Sequence, residues 1–323
     1  MKFIDLFAGI GGFHQVLRRH DLECVFASEW DKHASQTYFE NYGLQPKGDI
    51  TQINADEIPK HDILCAGFPC QAFSISGKQK GFEDTRGTLF FDVARIVSHH
   101  KPKVLFLENV KNFAKHDDGK TLATVKKTLI DLNYDVYHKV LNASHFGLPQ
   151  NRERIYIVAF RKDLGVNGFT FPQTVGIKTC LNDILEENPV TAKVIDRPDI
   201  KIKKHFQPKR DIFNEIDLPN KPIRVGEVNK GGQGERIYSP FGHAITLSAY
   251  GGGVGSKTGL YLVDDKVRKL TTRECARAQG FPESFIINSS SPQAFKQFGN
   301  SVALNVLDEI IKNIMQVVRY AKH

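Results

Sequence analysis

Over residues 1–160, short apolar runs alternate with amphipathic stretches, and few folds can accommodate that alternation. Residues 2–6, 24–28, 62–67 and 104–107 read as buried strands, bounded by Gly, Pro or acidic residues. Between them 12–19, 32–41, 89–99 and 120–132 carry helical spacing, and 134–141 and 154–160 close this half as further strands. Strand and helix repeating at this interval predict an α/β fold with a doubly wound, mostly parallel sheet.

After residue 182 the texture changes. Residues 183–235 are rich in Pro, Lys and Asn, and two glycine clusters follow, GGQGER (231–236) and YGGGVGS (250–256). Short runs at 244–248 and 260–263 read as strands. Such glycines either let a backbone approach a ligand closely or form flexible hairpin turns. Leu304, Leu307, Ile310, Ile311, Ile314 and Val318 then mark one apolar helical face. The expected organisation is a first domain of 1–182 plus 297–323, with 183–296 inserted as a smaller, loop-rich, β-containing domain and hinge.

Composition narrows the function. A chain of 323 residues with 41% hydrophobic and 25% charged residues can bury its own core without metal or disulfides. No apolar run reaches the length of a membrane span. The apolar start is broken by Asp5 with no cleavage pattern after it, so a cytoplasmic protein with reduced thiols is expected. The five cysteines form no CxxC pair and no zinc spacing, so no metal site is expected. The net charge of +8 is uneven: residues 1–160 hold 20 basic and 19 acidic residues, residues 201–300 hold 16 and 9. A basic half beside a neutral one points to a polyanion, most simply nucleic acid, or to a merely solvated Lys-rich surface.

DLFAGIGGF (5–13) runs from a strand through a glycine turn into a helix. Glu29 ends the next strand, placed to accept both ribose hydroxyls of an adenosine; Trp30 offers a face for adenine. Asp49, expected at a third strand end, would take the adenine amino group. The turn lacks the last glycine of G-x-G-x-x-G, His14 standing there, which leans away from pyrophosphate toward a phosphate-free adenosine ligand. A structural turn or a dinucleotide remain alternatives.

CAGFPCQAFS (65–74) puts Cys70 on a loop after a strand, where Pro69 halts it; Cys24, Cys65 and Cys275 read as core thiols. VLFLENV (104–110) brings Glu108 to the same sheet edge, as a proton donor or a helix cap. QNRERIY (150–156) supplies Arg152 and Arg154, expected on one strand face, to hold anionic groups or to pair with Glu153.

Taken in order, DLFAGIGGF, GFPCQAFS, ENV, QNRERIYIVAF, RECARAQGFP (273–282) and FGNSV (298–302) resemble the motifs of DNA cytosine-5 methyltransferases of the bacterial restriction-modification type. The resemblance covers essentially the whole chain. It implies a Rossmann-like S-adenosylmethionine-dependent catalytic domain with a DNA-recognition domain, acting on double-stranded DNA as a monomer. S-adenosylhomocysteine would be the product, and a companion restriction endonuclease would act on the same site without binding.

By the same resemblance Cys70 would attack carbon 6 of a flipped cytosine, Glu108 would act at ring nitrogen 3, and Arg152 and Arg154 would hold base, phosphate and nucleophile. Phe7, Gly9, Ile10, Gly12, Glu29, Trp30, Asp49, Ile50, Asn300 and Ser301 would bind the cofactor. Ser76, from a closing loop over 73–88, and Gln233 would fill the vacated helix; Arg236, Tyr250 and Gly253 would lie at the bases. The loops resemble those of a GCGC-specific subgroup, which implies methylation of the inner cytosine. A tRNA cytosine-5 methyltransferase and a non-catalytic DNA-binding protein on the same fold are the competing readings.

Overall fold

A computed structural model describes residues 1–69, 89–206, 208 and 218–320. The chain falls into two compact units. The first comprises Met1–Leu141, Glu153–Pro172 and Leu307–His323; the second comprises Asn142–Arg152 and Gln173–Val306.

Among the described residues, the first unit is built on six strands: β1 (Lys2–Leu6), β2 (Glu23–Ser28), β3 (Ile63–Gly67), β4 (Val104–Val110), β5 (Tyr134–Asn142) and β6 (Glu153–Arg161). Their order is β2-β1-β3-β4-β6-β5. β1 pairs parallel with β2 and β3, β3 parallel with β4, and β6 antiparallel with β4, giving the expected mostly parallel sheet. Its central strands are buried on both faces: Phe3, Ile4, Leu6, Ile63 to Ala66 and Val104 to Leu107 are all fully buried. Covered faces are the reason these strands read as continuous apolar runs rather than alternating ones. The strand order reverses at β1 and β3, so the crevice that ligands use in such sheets opens beyond their C-terminal ends.

Among the described residues the α-helices are α1 (Gly12–Leu17), α2 (Lys32–Tyr42), α3 (Leu89–His100), α4 (Lys120–Asp131), α5 (Thr272–Ala278), α6 (Ser291–Asn300) and α7 (Leu304–Tyr320). Asp31 caps α2 by accepting from the amides of His33 and Ala34, and Gly43 at φ +67° ends it. From Leu307 onward α7 belongs with the first unit; its apolar face is buried, and Asp308 pairs with His20 at 2.9 Å.

Among the described residues of the second unit, five short strands form a curled sheet: β7 (Lys201–Ile202), β8 (Arg224–Glu227), β9 (Arg236–Tyr238), β10 (Leu260–Val263) and β11 (Lys266–Arg268), in the order β11-β10-β9-β8-β7. Ile223, Val225, Ile237, Leu260 and Val267 fill its core. The expected strand at 260–263 is there. Residues 244–248 are not a strand: Ala244 makes a single bridge to Gln150, and the amide of Leu247 is taken by the Gln150 side chain. Arg268 and Glu274 form a buried, bidentate ion pair at 2.8 Å beside the Thr271 cap of α5.

Burial lowers the pKa of His14, bonded at 2.7 Å to the Tyr38 hydroxyl, and of His61, beside His100, each to about 4. An unfolded imidazole titrates near 6.5, so on acidification the unfolded chain takes these protons first. The stability that these two groups contribute is therefore full above pH 6.5 and is lost as pH falls from about 6.5 to about 4. The melting temperature should decline through that window, and His61→Gln should make the decline shallower; an unchanged slope would contradict the burial argument.

Candidate active site

The chain leaves β1 through backbone that few side chains tolerate: Phe7 and Gly9 both stand at φ +54° and Gly11 at +80°. Gly11 is irreplaceable for a second reason. A Cβ there would stand 2.2 Å from the ring of Tyr42, whose hydroxyl donates to the Gly11 carbonyl at 2.8 Å. Above Gly9, by contrast, a Cβ would meet nothing within 4 Å, so the turn presents open space. Gly12 begins α1 and is buried, as is Ile10.

Glu29 follows the last residue of β2 and accepts the Gly9 amide on Oε2 and the Asp31 amide on Oε1, both at 2.8 Å. Burial raises its pKa, while those amides pull it back. Trp30 beside it is 79% exposed, an indole face bare of protein. Asp49 does not end a strand. Lys47 makes one parallel bridge to Ser28, and Asp49, two residues on, caps a short 3-10 turn by accepting from Thr51 N. Its side chain is exposed, whereas Ile50 is buried in the core. Open space over a glycine turn, a carboxylate with lone pairs to spare and a bare indole fit an adenosine-bearing ligand such as S-adenosylmethionine.

Cys70 and Ser76 lie outside the described residues, as does the loop 73–88. The approach to Cys70 is described. Gly67, the last residue of β3, pairs in register with Glu108 on β4. Glu108 is thus inside a strand that runs three residues further than its apolar core, not at a helix cap. It is 8% exposed, and Arg154 Nε stands 3.0 Å from its Oε1. The pair exists because β6 runs antiparallel beside β4, setting Arg154 opposite Val110 and Tyr156 opposite Glu108. Asn109, which sequence reasoning passed over inside ENV, is 2% exposed and donates to the Phe68 carbonyl at 2.9 Å, two residues before Cys70. A buried amide in a motif is the signal that would have found it.

Arg152 departs from expectation. It precedes β6 and belongs to the second unit, so it does not share a strand face with Arg154. Only 2% exposed, its guanidinium donates to the carbonyls of Leu247, Gly299 and Ser301. Asn300 ends α6 and is exposed; Ser301, its C-cap, is 8% exposed.

The two glycine clusters come together in the second unit, and their glycines have a different use from either reading above. A Cβ on Gly234 would stand 2.1 Å from the Gly252 carbonyl, and Gly255 N donates to the Gly234 carbonyl at 2.7 Å. The loops pack backbone on backbone, which only glycine allows. Gln233, Tyr250 and Gly253 are thereby exposed on neighbouring loops, Tyr250 by 75%, and Arg236 is exposed at the start of β9. Cys65 and Cys275 are free and buried, with thiols pushed well up by burial. Among the described residues no three His, Cys, Asp or Glu side chains are grouped to hold a metal ion, and no helix is long and apolar enough to cross a membrane.

The sequence profile described as C-5 cytosine-specific DNA methylase matches residues 1–316. The chain is 56% identical over 316 residues to the type II methyltransferase M.HhaI of Haemophilus parahaemolyticus, covering 97% of this chain and 94% of that one. It is 45% identical over 323 residues to M.HpaII of Haemophilus parainfluenzae, covering 97% and 89%. Two solved structures share the fold at 21% identity. A putative DNA modification methyltransferase encoded within an E. coli prophage has a TM-score of 0.73 over 99% of each chain. The S. pombe Dnmt2 methyltransferase has 0.70 over 98% of each. The two structures share the fold; the family match over residues 1–316 and the 56% identity to M.HhaI decide, of the readings that the sequence left open, for DNA methylation: the chain belongs to the C-5 cytosine-specific DNA methylase family and transfers a methyl group from S-adenosylmethionine to carbon 5 of cytosine in DNA.

Proposed function

We propose that the protein methylates the inner cytosine of GCGC in duplex DNA through a covalent Cys70 adduct, as the modification half of a cytoplasmic bacterial restriction-modification system. It acts as a monomer without metal, and its companion endonuclease cuts the same sequence without binding to it. The observation that carries the chemistry is the buried Glu108–Arg154 pair, in register with Gly67 three residues before Cys70.

Carbon 5 of cytosine is a poor nucleophile and is hidden in a stacked duplex, so the base is flipped out first. Ser76 and Gln233 fill the space it leaves. The Cys70 thiolate, its proton given to solvent, bonds to carbon 6, and the displaced electron pair spreads over carbon 5, nitrogen 3 and the base oxygen. The Glu108 carboxylate takes a proton from solvent as the base enters and passes it to nitrogen 3, while Arg154 holds the base oxygen and keeps the carboxyl group aimed. The cofactor supplies an electrophilic methyl group. Once carbon 5 carries it, loss of the carbon 5 proton to solvent drives out the Cys70 thiolate, and nitrogen 3 returns its proton to Glu108, which restores the neutral aromatic ring.

Phe7, Gly9, Ile10, Gly12, Glu29, Trp30, Asp49, Ile50, Asn300 and Ser301 form the cofactor contacts in this reading. Arg236 reads guanine O6 and N7 from the major groove, with Tyr250 and Gly253 beside it. The domain of 183–296 is the target-recognition domain, and its basic excess neutralises phosphates. Arg152 acts by support and touches no reacting atom.

Tritiated methyl transfer to duplexes containing GCGC, GGCC or scrambled sites tests the reading. Label should enter GCGC alone, at the inner cytosine. Label in GGCC would keep the chemistry and remove the specificity.

A further inference from the structure

Three stretches of backbone that are distant in sequence converge on two buried side chains of the QNR segment. Gln150, fully buried, accepts the Leu247 amide at 3.1 Å and donates to the Ala278 carbonyl at 2.9 Å. Arg152 donates to Leu247 O at 3.1 Å, to Gly299 O at 3.2 Å and to Ser301 O. Gln279 continues the web, its side-chain amide donating to Phe298 O at 2.8 Å and its backbone carbonyl accepting from Leu304 N at 2.9 Å. Gly299 lies so close to the loop that a Cβ there would be 2.3 Å from Ala249 N.

Both groups of Leu247 are thus held by this segment, its amide by Gln150 and its carbonyl by Arg152. Three residues later the chain emerges as Tyr250, 75% exposed. The same guanidinium holds the carbonyls on either side of Asn300. A planar fork can serve several carbonyls at fixed angles, which a lysine ammonium cannot. Buried carbonyls deprived of that donor would have to move to find another.

We propose that Gln150 and Arg152 are positioning residues that fix the base-reading loop 247–253 and the FGNSV segment against one another, setting cofactor affinity and sequence discrimination together without touching either ligand. The inference rests on the assignment of Asn300 and Ser301 to the cofactor and of Tyr250 to the bases.

Gln150→Met keeps the volume and removes both hydrogen bonds. Steady-state methylation by this variant should show the KM for S-adenosylmethionine and the KM for a GCGC duplex each raised about tenfold, the size of one lost buried hydrogen bond. Discrimination against duplexes with one altered base pair should fall in parallel, while kcat at saturation stays within about threefold. Arg152→Lys should raise the same two KM values. A merely structural role would lower the melting temperature and the active fraction, hence kcat, and leave both KM values and the discrimination intact; that outcome overturns the proposal. So does a rise in only one KM. Asn300→Ala and Tyr250→Ala separate the underlying assignment: the first should raise only the cofactor KM and the second only the DNA KM. If neither does, the ligand assignment fails, and the positioning role still stands or falls on the paired KM values of Gln150→Met.

Discussion

Serine in place of Cys70 is expected to reduce methyl transfer to a GCGC duplex by at least about a thousandfold, the scale of losing an essential nucleophile. A serine hydroxyl is scarcely ionised at neutral pH and attacks the same carbon far more slowly than a thiolate. The sharper readout is the adduct. A duplex carrying 5-fluorocytosine at the target cannot lose its carbon 5 substituent as a proton, so it should trap the wild-type protein in a denaturant-stable complex and leave Cys70→Ser free. Duplex binding should survive, because the proposed DNA contacts, Gln233 and Tyr250 on their loops and Arg236 at the start of β9, sit on backbone folded by its own contacts. Substantial turnover by the serine protein, or a trapped complex with it, would remove Cys70 from the mechanism.

Glu108→Gln should cost about a hundred- to ten-thousandfold in single-turnover rate, the range for losing a positioned general acid. The amide keeps the shape and can still donate a hydrogen bond to nitrogen 3, but it cannot deliver a proton. It also leaves the largely buried Arg154 guanidinium 3.0 Å from a neutral partner instead of a carboxylate. Some stability will be lost, so the rate must be compared at a temperature where the melting curve shows the variant folded. Cofactor affinity should be unchanged, since Glu29 and Gly9 make their own contact. A rate within tenfold of wild type would mean that Glu108 only anchors Arg154.

What is legible in the sequence follows from how local each feature is. Strand ends and the glycine turn are specified by a few adjacent residues, so the amino-acid pattern alone sets Gly9, Glu29 and Glu108 at one sheet edge. Asp49 is misplaced by the same pattern because a single bridge at Lys47 looks like a strand end in sequence. Arg152 is not legible at all: the carbonyls that hold it come from residues 95, 147 and 149 positions away. The strands of the second unit, two to four residues each, mostly escape detection for a related reason. At that length pairing depends on neighbours such as Ile223 and Val267 rather than on any internal alternation. Residues 244–248 have the composition of a strand, yet the Leu247 amide bonds the Gln150 side chain.

The backbone contact between Gly234 and Gly252 also bears on how a protein of this kind could acquire a new target. Side chains at Gln233, Arg236 and Tyr250 are exposed and can be exchanged singly, but neither loop can change its path while the other stays, because their main chains are each other's wall. On the proposed assignment of base reading to these loops, altered recognition that needs a different loop course must therefore arise by replacing both segments in one event. Recombination of the stretch from 231 to 256 as a block offers that route, and stepwise point mutation does not.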